Sequence, residues 1–286
     1  MMNSNIALIT DSTSDLPAQI REQYQIRIVP LTIVWGDKQF SDGVDLTSED
    51  FYHRLETEPG YPSTSQPTPQ QFLDAYNAAS AQGATRIVVT TISGAMSGTL
   101  ESARAAAQGY KLPVTIVDSK GNSMSLGWQV LAMARAREAG ANVSEMVQAS
   151  NRVREGLHYH IVLNTLEYLI KGGRIAGAAK LLGHMLNIKP QIRVNHKTGT
   201  VERGDISTTR SKAIETLYSS FFKKMDTTKK MRIAVLHNAA DEEASILAER
   251  VKAEYNPEEL IVGIVSPVLG THTGPGALAL CGYSES

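Results

Sequence analysis

Short hydroxyl and carboxyl side chains are concentrated in four segments of this 286-residue chain. The segments are residues 11–15, 63–68, 90–99 and 118–121, and three of them directly follow apolar runs that predict strands. Ligands of open α/β sheets bind beyond the carboxyl ends of the strands, so we expect these segments to form one polar rim. Each residue taken alone suits a helix cap or a turn equally well, and the hypothesis therefore depends on the group.

The segment Ser93–Thr99 is the best candidate for binding an anion. Gly94 and Gly98 permit close approach of the backbone, and a helix predicted over Leu100–Ala107 presents its N-terminus to this segment. A small carboxylate or phosphate suits such a place. The segment matches neither the Walker pattern nor the Rossmann fingerprint, and its serine lies one position too late for a G-x-S-x-G nucleophile elbow.

His272 and Arg174 are two further candidates. His272 lies in the sequence GTHTGPG, whose three glycines and one proline predict a loop with a constrained backbone, which favours a functional role. Arg174 follows two glycines that end a short predicted helix, so its guanidinium is displayed for a carboxylate or phosphoryl group or bonds to the carbonyls of that helix end. The other six histidines lack metal-ligand spacing, and the single cysteine, Cys281, lies in an apolar run that favours burial.

Strands and helices alternate in the first half of the chain, which predicts a mostly parallel sheet covered on both faces. Turn and capping residues bound these elements, with Thr68 and Asp15 as two predicted N-caps. The predicted strands are Ile6–Thr10, Ile26–Trp35, Arg86–Thr91 and Val114–Asp118, and the longer helices are Pro69–Gln82, Leu100–Ala107, Ser125–Ala139 and Val143–Glu155.

The pattern of elements changes after residue 157. The predicted strands there are His160–Asn164, Ile188–Val194, Met231–His237 and Leu260–Val265, and the predicted helices are Leu166–Ile170, Ala176–Leu186, Thr208–Lys224 and Asp241–Tyr255. We therefore predict an α/β fold with an N-terminal, mostly parallel sheet domain over residues 1–157 and a second, smaller α+β domain over residues 158–286.

Composition excludes several classes of function. The 28 basic and 29 acidic residues give no excess of positive charge, which disfavours nucleic-acid binding. No apolar run approaches the roughly 20 residues of a membrane span, and the N-terminus lacks a leader pattern, so we expect a cytoplasmic protein. Two lysine pairs, at residues 223–224 and 229–230, predict a solvated face with at most transient contact with a membrane surface.

Six motifs together resemble the DegV family over nearly the whole chain. They are DSTSDLP at 11–17, IVPL at 28–31, TSQP at 64–67, SGT at 97–99, the segment 165–175 and HTGPG at 272–276. The resemblance implies an α/β domain and a smaller second domain with a long-chain fatty acid held between them. It further implies the fatty-acid-binding, FakB-like component of a bacterial fatty acid kinase, in which a separate ATP-dependent kinase subunit makes an acyl phosphate for phospholipid synthesis. On this hypothesis the chain is not itself an enzyme and carries neither metal nor cofactor.

The same resemblance assigns roles to individual residues. Thr64, a serine of the SGAMSGT segment and His272 are expected to hold the carboxylate, and Arg174 is expected to meet the kinase. Where the family's usual motif has a second serine this chain has Gly94, which leaves both Ser93 and Ser97 as candidates. Ser97 is favoured because it begins the intact Ser-Gly-Thr portion beside the helix N-terminus.

Two other classes of function stay open at this stage. A lipid or ester hydrolase would use Ser97 or Ser93 as the nucleophile with His272 as its base. A nucleotide-binding regulator is suggested only by the α/β architecture, which is an argument from fold analogy.

Overall fold

The computed structural model describes residues 5–175 and 188–285. The helix predicted over Ala176–Leu186 and its residue His184 lie outside the described residues. The strands are β1 Ile6–Asp11, β2 Ile26–Val29, β3 Thr32–Trp35, β4 Lys38–Ser41, β5 Ser63–Ser65, β6 Arg86–Thr91, β7 Val114–Asp118, β8 His158–Val162, β9 Lys189–Asn195, β10 Thr200–Ser207, β11 Met231–His237, β12 Glu259–Ile264 and β13 Leu278–Ser284. The α-helices are α1 Ala18–Gln23, α2 Ser48–Thr57, α3 Pro69–Ala81, α4 Thr99–Ala107, α5 Met124–Glu138, α6 Val143–Gly156, α7 Glu167–Lys171, α8 Arg210–Phe222, α9 Asp241–Tyr255 and α10 Pro267–Thr273.

A four-stranded parallel sheet with the order β2-β1-β6-β7 forms the N-terminal part. Its strands are apolar on both faces because helices cover both. Val89 packs on one face with Phe72 and Tyr76 of α3, and Val88 packs on the other with Leu131 of α5. The predicted mostly parallel sheet is confirmed.

A second sheet has six strands in the order β10-β9-β8-β13-β11-β12. All its neighbours pair antiparallel except β11 and β12, which are parallel. Its outer face packs against α8 and α9, where Phe221 and Leu247 join one apolar cluster. Its inner face packs against α5, where the rings of Trp128 and Tyr283 meet edge to face with centroids 5.9 Å apart. Helix α5 therefore lies between the two sheets, and Cys281 is fully buried beside it, as predicted.

The single strand predicted over Ile26–Trp35 is wrong, because the structure divides it into β2 and β3. Pro30 lies between them and cannot donate a hydrogen bond to a sheet ladder. Strand β3 instead pairs antiparallel with β4 and β5 in a separate three-stranded sheet. Within the polar segment of residues 63–68, for which no strand was predicted, Ser63–Ser65 form β5.

The two predicted N-caps have opposite outcomes. Thr68 caps α3 through a capping box with Gln71, and Pro69 occupies the first turn, which confirms that helix start. The expected cap at Asp15 is wrong: α1 begins after Pro17, and Asp15 has a left-handed backbone with φ of 48°. Its buried carboxylate instead accepts a hydrogen bond from the Ser266 amide at the start of α10.

Within the described ranges, no helix combines the length and the apolar character needed to cross a lipid bilayer.

Candidate ligand-binding pocket

The loops that follow the parallel strands converge, as the sequence predicts. The Ile92 amide donates to the carboxylate of Asp11 at 2.7 Å, which ties the loop after β6 to the end of β1. The Ser93 amide donates to the carbonyl of Gly121 at 2.8 Å, which ties the same loop to the one after β7. Hydroxyl groups of the rim also bond within it, since Thr13 donates to the carboxylate of Asp11 and Ser119 donates to the carbonyl of Gly121. The polar rim exists, but only part of it faces free space.

A narrow cavity of about 60 Å³ begins at this rim and extends between the two large sheets. Its wall is mostly apolar, and the polar side chains gather where the rim loops meet α10. A long wall around so small a volume suits a thin flexible chain better than a bulky ring. The described lining residues are Leu31, Thr64, Ile92, Met96, Ser97, Asn122, Tyr159, Ile161, Leu169, Arg174, Ile192, Val194, Val201, Asn238, Val265, Val268, Leu269, His272, Thr273, Ala277 and Ala279.

Thr64 and His272 meet in the wall of this pocket. The Thr64 hydroxyl lies 2.9 Å from Nε2 of His272 although 208 positions separate them in the chain. Pairing of β5 with β3 at Ile33 fixes Thr64. His272 lies in the last turn of α10, so the predicted loop around it is wrong. Pro267 opens this helix, and Gly274, with φ of 72°, ends it.

The imidazole of His272 is neutral near pH 7. Burial lowers its pKa to about 4, with a further contribution from the positive charge of Arg174. Its second ring nitrogen, Nδ1, is buried and has no hydrogen-bond partner among the described residues. Gly172 lies so close to this nitrogen that a Cβ atom there would overlap it. The imidazole ring is therefore held by close packing against Gly172 on one side and by the hydrogen bond with Thr64 on the other.

The structure separates the two candidate serines. Ser97 lies in the pocket wall, and its hydroxyl lies 2.8 Å from that of Thr99 at the start of α4. Ser93 is fully buried, lies outside the described pocket lining, and donates to the carbonyl of Gly199 at 2.8 Å. Ser93 thus attaches the β9–β10 turn to the rim. A role of either serine toward a ligand stays a prediction.

Gly98 brings the two polar loops together. A Cβ at this position would overlap the amide group of Gln66, so a larger residue here would require the Gln66 side chain to move. The Gln66 side chain also bonds to Ser102 across this junction, at 3.3 Å. This contact joins the segments that carry Thr64 and Ser97.

Arg174 is exposed and lines the mouth of the pocket. Its guanidinium donates to the carbonyl of Gly172 at 2.6 Å and to that of Met96 at 3.4 Å. The first carbonyl belongs to the turn after α7 and the second to the loop after β6. Arg174 therefore joins the two sides of the mouth. The sequence left two alternatives for this residue, exposure to an anion or bonding to backbone carbonyls, and the structure shows both an exposed side chain and carbonyl contacts.

Asn238 is a site residue that sequence reasoning missed. It is 1% exposed and donates to the Thr273 hydroxyl at 2.8 Å and to the Gly274 carbonyl at 2.7 Å, which fixes the end of α10 next to His272. It follows β11 directly, so the strand-end rule applied to the first sheet would have found it. Asn122 and Tyr159 also line the pocket and were missed.

The contacts give no support to a hydrolase. His272 bonds to Thr64, and within the described parts of the chain no hydrogen bond joins an imidazole to Ser93 or Ser97. A serine nucleophile needs such a base within hydrogen-bond reach. In the same parts of the chain, no cluster of three or more His, Cys, Asp or Glu side chains is arranged to bind a metal ion.

Two buried carboxylates hold the beginning of α10. Asp15 accepts a hydrogen bond from the Ser266 amide at 3.1 Å, and Asp42 accepts one from the Val268 amide at 3.4 Å. Burial raises the pKa of Asp15 to about 6 and that of Asp42 to about 7, and repulsion among these carboxylates and Asp11 adds to both. The helix that carries His272 is thus anchored by acidic groups that titrate near neutrality.

We expect Asp42→Asn to stabilise the protein, and more so as pH rises. The folded pKa of Asp42 is raised above the usual 3.8, so its contribution to stability is present at low pH and lost as pH rises through about 7. Asparagine keeps the acceptor for Val268 and removes the buried charge. The gain in unfolding free energy at pH 8 is on the order of a few kcal/mol and shrinks toward pH 5.

Denaturant unfolding of both proteins at pH 5 and pH 8 measures this difference. Comparing the variant with the parent cancels the titration of the histidines, which both proteins share. Asp37→Asn, at an exposed position, is the matched control and should change stability little at either pH. An Asp42→Asn effect that is equal at both pH values contradicts the expectation.

Comparison with known proteins gives a consistent result over the whole chain. The model of the DegV family matches residues 5–285. A DegV domain-containing protein of Streptomyces coelicolor is 35% identical over 280 residues, which cover 98% of each chain.

Two solved structures share the fold. A Thermus thermophilus DegV family protein, whose structure is described as showing fatty acid binding, superposes with a TM-score of 0.91 at 31% identity, covering 98% of this chain and 100% of that one. DegV of Bacillus subtilis, described as a fatty acid binding protein, superposes with a TM-score of 0.91 at 27% identity, covering 99% of this chain and 100% of that one.

Proposed function

Because the chain belongs to the DegV family, we propose that it binds a long-chain fatty acid in a buried tunnel and presents the carboxylate to a separate kinase. The observation that carries this proposal is the pocket itself, which is narrow and apolar with Thr64, Ser97 and His272 at one end. Fatty acid binding by the similar proteins of Thermus thermophilus and Bacillus subtilis supports it. The proposed domains, residues 1–157 and 158–286, both contribute to the wall.

The polar end suits a carboxylate. With its proton on Nε2, His272 donates to the oxygen of Thr64, which leaves the Thr64 hydroxyl proton free for a carboxylate oxygen. Ser97 offers a second hydroxyl in the same wall. A buried anion must be paired or hydrogen-bonded, and charge-assisted bonds from hydroxyl donors meet that need. The positive charge of Arg174 at the mouth favours the ionised acid.

The apolar wall suits the acyl tail. Ile161, Ile192 and Val194 of the second sheet and Leu269 of α10 are buried and line the cavity. Each buried methylene contributes about 0.8 kcal/mol, so a sixteen-carbon tail supplies on the order of 10 kcal/mol before the cost of ordering it. Affinity then comes mainly from the tail, while the polar end fixes which group is presented.

The proposal makes the chain a binding protein and assigns the chemistry to a cytoplasmic kinase subunit that forms the acyl phosphate. Arg174 supports this division because it is exposed at the mouth and carries a planar fork of donors suited to phosphoryl or carboxylate groups. A phosphoryl donor reaching the carboxylate would approach past this residue.

Lipid analysis tests the binding step directly. The purified protein is denatured, and the released lipid is identified by mass spectrometry and quantified per chain. We expect about one long-chain fatty acid per chain, or uptake of added oleate or palmitate to that level. A protein that carries no lipid after purification and takes up neither added oleate nor added palmitate would refute the proposal.

Arg174→Ala should separate binding from presentation. An exposed charge contributes at most about 1 kcal/mol, so fatty acid affinity should fall by no more than about fivefold. Formation of acyl phosphate by the kinase subunit, followed with radiolabelled ATP at saturating fatty acid, should fall by at least tenfold, in rough terms. Arg152→Ala, an exposed arginine on α6, is the matched control. Equal losses of binding and phosphorylation would show that the two roles are not separate.

A further inference from the structure

A second cavity, of about 420 Å³, lies between the two parts of the chain on the other side of Asp15 and Asp42. Its wall combines residues of the loop after β1, of α1 and of the turn after β4 with residues of β12 and the start of α10. The polar lining residues are Ser12, Ser14, Asp15, Arg21, Asp42, Ser48 and Ser266, and the apolar ones include Leu16, Ile28, Val44, Val262 and Ile264.

Asp42 gives this cavity an unused acceptor. The side chain is 2% exposed, and one carboxylate oxygen accepts from the Val268 amide. The other oxygen, Oδ2, is buried and lacks a hydrogen-bond partner of good geometry among the described residues, and the Ser12 hydroxyl in the same wall is a neighbouring donor to this carboxylate. A buried carboxylate oxygen without a donor is costly, and an ammonium group in the cavity would supply both donors and charge. Asp15 lies in the same wall and adds a second negative group.

Arg21 gives the cavity an unused donor of opposite sign. It lines the wall, and its Nε is buried without a partner within the described ranges. Guanidinium groups bind carboxylates through planar pairs of hydrogen bonds. One cavity thus holds a free acceptor for a cation and a free donor for an anion.

The rim of the cavity is apolar and exposed. Val44 is 71% exposed and Val262 is 47% exposed, and both line the cavity. Large aliphatic side chains so open to water favour an aliphatic group on whatever occupies the cavity. The three features together describe one compound class: an ammonium, a carboxylate and an aliphatic side chain.

We propose that this cavity binds a free α-amino acid with an aliphatic side chain. The ammonium group is held by Asp42 and Asp15, the carboxylate by Arg21, and the side chain by Val44 and Val262. Burial raises the pKa of the Asp42 carboxyl, and a bound ammonium lowers it again, so binding should strengthen as pH rises through about 7. This site is separate from the proposed fatty acid pocket and does not depend on it.

Isothermal titration of the full chain with three probes tests the proposal. The probes are L-leucine, isoamylamine, which lacks the carboxylate, and 4-methylpentanoate, which lacks the ammonium. We expect one leucine per chain and at least tenfold weaker binding of the other two. Absence of leucine binding at millimolar concentration overturns the proposal, and so does 4-methylpentanoate binding as tightly as leucine.

Two substitutions assign the groups. Asp42→Asn should weaken leucine and isoamylamine at least tenfold and leave 4-methylpentanoate unchanged, while Arg21→Gln should weaken leucine and 4-methylpentanoate and spare isoamylamine. His272→Ala, in the other pocket, should leave leucine binding unchanged. Cooperative urea unfolding of Asp42→Asn, measured in parallel, shows that the variant is folded. Leucine binding that survives Asp42→Asn, or is lost in His272→Ala, refutes the assignment.

Discussion

Replacing His272 by alanine is expected to weaken fatty acid binding by about ten- to a hundredfold, since a hydrogen bond that serves a charged group contributes roughly 1.5–3 kcal/mol. The substitution removes the hydrogen-bond partner of the Thr64 hydroxyl and leaves a gap beside Gly172. Displacement of a fluorescent fatty acid by palmitate measures the affinity. His53→Ala, an exposed histidine on α2, is the matched control and should bind like the parent. Unchanged affinity of the His272 variant would remove this residue from the proposed site.

Thr64→Val extends the same test. Valine matches the shape of threonine without the hydroxyl, so the variant loses the donor to the carboxylate and the partner of the imidazole. The double variant with His272→Ala should lose less affinity than the sum of the two single losses, because the residues act through one hydrogen bond at 2.9 Å. Strict additivity would mean that they contact the ligand independently.

Replacing Asn238 by alanine is expected to lower the free energy of unfolding by about 2–4 kcal/mol, because two buried bonds are lost and their acceptors keep the cost of burial. The acceptors are the Thr273 hydroxyl and the Gly274 carbonyl. Since these follow His272, fatty acid affinity should fall as well. Urea unfolding measures the stability, and ligand displacement measures the affinity.

An exposed asparagine provides the comparison. Asn77 on α3 accepts one hydrogen bond, from the Tyr110 hydroxyl at 3.1 Å, and Asn77→Ala should cost less than about 1 kcal/mol. If the two asparagine variants unfold at the same urea concentration, the bonds of Asn238 do not hold the end of α10.

The parallel sheet and its capped helices could be predicted because their signals are local. Strand β6 contains the apolar run Ile87–Val89, and Thr68 followed by Pro69 and Gln71 marks a helix start within four residues. Pro30 also carries a local signal, the loss of a donor, and giving it more weight would have divided Ile26–Trp35 correctly.

The glycine-rich sequence around His272 shows where local signals compete. Its glycines predict a loop, yet Pro267 and Gly274 stand where a helix commonly begins and ends, and α10 forms between them. Burial of Val268 and Leu269 favours the helix. Tertiary packing decides between the two structures, and a single sequence does not display that packing.

The sequence favours Ser97 over Ser93 but does not display the contact that distinguishes them. Both lie beside glycines ahead of α4, and what distinguishes them is the carbonyl of Gly199, which receives the Ser93 hydroxyl from 106 positions away. Thr64 and His272, which also meet, are even more remote in the chain, at 208 positions apart. The rim could be predicted as a group, whereas the direction of each hydroxyl depends on distant partners.

The two carbonyl contacts of Arg174 bear on how long a lipid stays bound. Its guanidinium spans the mouth from Gly172 to Met96. The guanidinium N–H groups that bond to these carbonyls are not available to a carboxylate or a docking protein. A ligand or partner that binds Arg174 must therefore first replace these hydrogen bonds. Such an exchange changes the net number of hydrogen bonds little, but it adds a barrier in both directions. If the pocket holds a fatty acid as proposed, its residence time would be set at the mouth while its equilibrium affinity would be set by the tail, and a partner that captures this guanidinium would speed departure of the bound lipid.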